Sequence, residues 1–135
     1  MKQFFGFALT LMLLIGCDVN GAGETTTGSS KDTQISNLEF TIDSTYLQGS
    51  PAALVAQGKV KNKGTSTITS PWYVEAAFFT DSTLTTKLGG NNAQILVALS
   101  TNQQTFWKVQ FSSSNVNVLS YPKFKVSEIR GIYKN

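Results

Sequence analysis

From residue 35 onward, apolar and polar residues alternate with a period of two in short runs, separated by clusters of Gly, Asn, Ser and Pro. That pattern predicts strands with one buried and one wet face. No useful length repeats every 3.6 residues, so helix is expected only in the amino-terminal segment. Seven strands are predicted, at about 35–47, 52–62, 71–80, 84–88, 92–99, 103–112 and 123–134. In the second, Leu54, Ala56, Gly58 and Val60 share one face, and Val55, Gln57, Lys59 and Lys61 the other. In the third, Glu75 favours Val74, Ala76 and Phe78 as the core face over Tyr73, Ala77 and Phe79. In the sixth, Trp107 falls inside and Phe106 falls out of phase, toward solvent. In the seventh, Ile129 breaks step with Phe124 and Val126, which predicts a bulge near Ser127-Glu128. Lys63-Gly64-Thr65 and Gly89-Gly90-Asn91-Asn92 read as turns.

Seven short strands at regular spacing predict an all-β domain over residues 35–135, an immunoglobulin-like antiparallel β-sandwich. There is one cysteine, so no intrachain disulfide can staple it.

The amino terminus follows other rules. Residues 1–17 read MKQFFGFALTLMLLIGC: a positive Lys2, then a mostly apolar run from Phe4 to Ile15. As a helix that run reaches ~18 Å, at ~1.5 Å per residue, short of a bilayer core of ~30 Å. It suits a signal peptide over residues 1–16. Leu14-Ile15-Gly16-Cys17 resembles the bacterial lipobox, in which the small residue admits the peptidase and the cysteine thiol takes a diacylglycerol. The resemblance implies lipidation (diacylglyceryl, with palmitate-type chains) at Cys17 and a cell-envelope location. Two or more long chains, at ~0.8 kcal/mol per buried methylene, give stable attachment without a membrane span. Asp18 resembles an inner-membrane retention signal, and outer-membrane placement stays open. Residues 17–34 carry few apolar side chains and many Gly, Ser and Thr, so a flexible linker is expected behind the lipidated cysteine.

Charge and chemistry narrow the field further. Lys and Arg total 11 against 8 Asp and Glu, too small and too scattered an excess for nucleic acid. Histidine is absent, which excludes Ser-His-Asp and Cys-His catalysis and His-ligated metal. The domain carboxylates Glu39, Asp43, Glu75, Asp81 and Glu128 form no pair with glycosidase logic, and no Asp-x-Asp-x-Asp calcium loop occurs. No G-x-S-x-G or phosphate-cradling loop is present either. No catalytic residue, metal ligand or cofactor is therefore expected.

Two groups remain as interaction candidates. Lys59, Lys61 and Lys63 alternate and would share a face if the second strand extends that far. Such a row either contacts an anionic partner or guards the sheet against edge-to-edge pairing. Trp72, Tyr73 and Phe106 are expected to be exposed, as at a protein or sugar interface.

Gly58-Lys59-Val60-Lys61-Asn62, an aromatic strand ending in Asp81, and Gln104-Thr105-Phe106 entering a strand together resemble the FxLYD-type domain. Those are small immunoglobulin-like sandwiches of secreted and lipid-anchored bacterial proteins. Here the signature strand reads Ala77-Phe78-Phe79-Thr80-Asp81, without the family's tyrosine. The resemblance would cover residues 36–133 and implies a fold, not a site. The expected function is a non-enzymatic, lipid-anchored interaction or accessory domain with an envelope protein partner. The alternative is a carbohydrate-binding or adhesion module, and a histidine-free enzyme is a third reading.

Overall fold

The computed structural model describes residues 32–135. The predicted signal peptide, Cys17 and the linker through residue 31 lie outside the described residues. The strands are β1 (Thr33–Ile35), β2 (Leu38–Gly49), β3 (Ala52–Asn62), β4 (Trp72–Phe79), β5 (Lys87–Ile95), β6 (Gln104–Phe111) and β7 (Lys125–Tyr133). A single 3-10 turn, Val118–Ser120, lies between β6 and β7. Two antiparallel sheets, ordered β1-β7-β4-β5 and β2-β3-β6, pack as a sandwich.

The strand count matches the expectation, but the strands themselves differ. The first predicted strand is two, broken at Ser36-Asn37, where Asn37 adopts a φ of 61°. The break lets one extended segment switch sheets: β1 pairs with β7, and β2 pairs with β3. Thr33 and Gln34, expected in the linker, are therefore ladder residues. The predicted fourth and fifth strands are one, β5, and Gly89-Gly90-Asn91-Asn92 lies inside it rather than in a turn. Glycine is needed there for space: a Cβ on Gly89 would strike the Phe111 ring.

Counted from β2, the order is A-B-E facing G-F-C-C′, with β1 in the place of G. This is an immunoglobulin-like arrangement whose final edge position is filled from the amino-terminal side. Strand C of such folds carries a buried tryptophan, and β4 carries Trp72. Trp72 is fully buried, which corrects its expected exposure. Its position is in phase with Val74, Ala76 and Phe78, the core face that Glu75 favoured. Gly131 on β7 leaves room for the Leu38 side chain from the facing sheet, whose Cδ1 a Cβ there would strike.

The core unites Leu54, Ala56 and Val60 of β3 with Trp107, Val109 and Phe111 of β6 and the inner face of β4. Phe78 stacks on Phe111 at 5.6 Å and meets Phe124 at 6.0 Å. Each large side chain buried this way contributes roughly 1.5–3 kcal/mol. A β2 bulge between Ile42 and Ser44 brings the Thr41 carbonyl so close to Gly58 that no Cβ fits. In β7, the predicted bulge falls at Glu128, where φ is 53° and the pairing with β4 shifts.

Candidate interaction surface

The outer face of the β2-β3-β6 sheet gathers the clearest cluster of exposed cationic and aromatic side chains. Lys59 and Phe106 are cross-strand partners, so their side chains leave the same face side by side. The Lys59 Nζ lies 5.8 Å from the Phe106 ring centroid. Lys108 Nζ stands at the same distance from the Tyr46 ring. Both pairs are cation–π contacts at solvent, worth about 0.5–1 kcal/mol each. Phe106 itself is 72% exposed. Its neighbour Trp107 points inward, donating Nε1–H to the Lys59 carbonyl at 3.0 Å.

Lys61 stays on this face, opposite Glu39 and Gln104. Lys63 does not continue the row. β3 ends at Asn62, the Lys63 N–H bonds the Asn37 carbonyl, and its ammonium lies 3.6 Å from Glu39.

The three aromatic candidates occupy three different places. Trp72 is in the core, donating Nε1–H to the Val97 carbonyl at 3.0 Å. Tyr73 lies on the outer face of the other sheet, half-buried beneath Lys134, whose Nζ is 4.4 Å from its ring, and its hydroxyl accepts from Gln94 Nε2. Only Phe106 is well exposed. The expected three-residue cluster is therefore not one surface.

A groove runs where the edge strands β5 and β6 approach each other. One recess, of about 420 Å³, is lined among others by Asp43, Gln57, Gln94, Ile95, Phe106 and Lys108. It continues into a second, of about 310 Å³, beside Asn91, Asn92 and Gln110. Asn91 Nδ2 donates across it to the Gln110 carbonyl at 2.7 Å, joining the two sheet edges. The amides were not singled out from sequence because Asn91-Asn92 read as a turn.

The carboxylates are engaged at the surface. Glu75 meets Arg130 at 2.5 Å, and Glu128 meets Lys87 at 2.6 Å. Asp81 accepts from the Thr83 hydroxyl at 2.6 Å and the Thr83 N–H at 2.9 Å. Those bonds, the side-chain one foremost, hold the Asp81 carboxyl below its ordinary pKa. Among the described residues, no three His, Cys, Asp or Glu side chains are grouped to hold a metal ion. None of the described helices is long and apolar enough to cross a membrane. No family model, curated protein or solved structure matches the chain.

Proposed function

We propose that the chain is a lipid-anchored envelope protein, acylated at Cys17, whose sandwich serves as a non-enzymatic protein-interaction or accessory domain. The observation that carries the interaction role is Phe106. A large apolar ring 72% exposed at an edge strand, beside a cation and a groove, takes no part in the core. Aromatic side chains are enriched at protein interfaces, where they serve as anchors. The lipid anchor is supported by the Leu14-Ile15-Gly16-Cys17 motif after an apolar run too short to span a bilayer. The FxLYD-type resemblance adds a precedent for such sandwiches on lipid-anchored proteins.

A photo-crosslinking residue at Phe106, introduced in living cells, is expected to give one discrete protein adduct. The same residue at Leu84 is expected to give none. Equal or absent adducts at both positions would remove the interface from this face.

A carbohydrate-binding role is the second reading, favoured by the groove. Gln57, Asn91, Asn92, Gln94 and Gln110 line it, and the donor and acceptor capacity left beside their bonds to protein groups suits sugar hydroxyls, with Phe106 as a stacking ring. Binding to a glycan array that falls on Phe106→Ala would favour this reading over a protein partner.

A further inference from the structure

The loop after β5 is apolar where it meets solvent. Leu96 is 72% exposed and Val97 52%. The loop is nevertheless fastened on both sides. Trp72 Nε1 holds the Val97 carbonyl, and Leu99 forms a two-bond bridge with Ile68 at 3.0 and 2.9 Å. Asn62 Nδ2 holds the Leu99 carbonyl as well, at 2.8 Å. Two adjacent apolar side chains are thus displayed on a fixed support.

Strand register locates this loop. Thr33 pairs with Tyr133, Ile132 with Tyr73, and Trp72 with Ile95. The end of the four-stranded sheet where the described chain begins is therefore the end that carries Leu96. Three strand spacings, about 14 Å in all, separate β1 from β5. Residues 18–31 lie between Cys17 and Asp32 and span at most about 50 Å. A lipid on Cys17 keeps this end of the sandwich within reach of the bilayer.

We infer that Leu96 and Val97 form a second membrane contact, inserting into the lipid interface beside the acyl anchor. This rests on the lipid-anchor reading above. Tethering makes the contact an intramolecular event, so two side chains too weak to bind a membrane alone are sufficient to orient the domain. At this end Lys63 is paired with Glu39, and the Lys134 ammonium is held by Asn92 and the Tyr73 ring, so the contact is apolar and phosphatidylcholine alone suffices. In this orientation the β5–β6 groove and Phe106 lie toward the membrane-facing end, and the Asp81 turn points away.

The test uses the full acylated protein reconstituted in phosphatidylcholine vesicles. Acylation consumes the Cys17 thiol, so Ala98→Cys supplies the sole free thiol for a spin label and leaves Leu96 and Val97 intact. Leu84→Cys, at the opposite end, is the reference. The expected result is a severalfold lower collision rate with an aqueous nickel chelate at position 98 than at 84, with higher oxygen accessibility. Adding Leu96→Ser and Val97→Ser is expected to abolish the difference while the protein still floats with the vesicles. Equal nickel accessibility at both positions in vesicle-bound, acylated protein would overturn the contact and leave the anchor standing. Shielding that survives the serine pair would overturn it in favour of a protein neighbour. Native protein found with no acyl group on Cys17 would overturn the anchor itself, and the contact with it.

Discussion

Asn62 and Asp81 make the same local turn at opposite ends of the sandwich. In each, a side-chain oxygen accepts the backbone N–H two residues on, from Gly64 and from Thr83, at 2.9 Å in both cases. Such Asx-turns are common wherever a strand must stop. The difference is burial. Asn62 is 1% exposed, and its amide also donates to the Ser66 and Leu99 carbonyls at 2.8 Å each. It binds two loops to the end of β3, whereas Asp81 organises only its own turn at the surface, where water competes for every bond. The same geometry is therefore a keystone at one end and a local detail at the other.

Asn62→Asp is expected to have the largest effect. A carboxylate cannot donate to the two carbonyls and would face them as a buried charge. The domain is expected to be largely unfolded at neutral pH by near-UV circular dichroism. Burial raises the pKa of such an acid above its unfolded value, so stability should return partly as pH falls and the group regains a proton to donate. Asn62→Ala comes next. The Ser66 carbonyl and the Gly64 N–H lose their bond to the side chain, and the Leu99 carbonyl keeps only the Ile68 N–H, at a cost of about 3 kcal/mol and a fall in Tm of about 15 °C, readable by thermal melting. Asp81→Ala should lower Tm far less, and a loss matching that of Asn62→Ala would break the comparison. The smallest effect is that of acid on Asp81. Its folded pKa is depressed, so its contribution is present above the unfolded value and is lost as pH falls through the folded one. The Tm difference between the native chain and Asp81→Ala should therefore vanish at low pH, while that for Asn62→Ala persists.

Period-two patterning carried most of the fold. It set the face of β4, put Trp107 inside and Phe106 outside, and located the β7 bulge from the single misplaced Ile129. Trp72 was legible on the same evidence, being two residues before Val74. Grouping it with Tyr73 and Phe106 as an exposed aromatic set ran against that phase. Gly89-Gly90-Asn91-Asn92 misled for a different reason. Turn composition and close packing both select small residues, and here the Phe111 ring, a distant partner, makes the choice. The Asn62 cluster was invisible because the bond that ties it to the second loop, to Leu99, joins residues 37 positions apart. The interaction surface was half legible: alternation brought out Lys59, Lys61 and Phe106, but the groove depends on β5 and β6 meeting across two sheets.

The β1–β2 segment has a mechanical consequence. It is one strand sewn first into the four-stranded sheet through Thr33–Ile35 and then into the three-stranded sheet from Leu38 onward. Any load drawn through the residues before Thr33 reaches the short ladder with β7 first, and behind it in series the eleven paired positions of β2 against β3. The first can give way as a fuse while the second still holds, so tension at the amino-terminal end slackens one edge of the sandwich before it threatens the core.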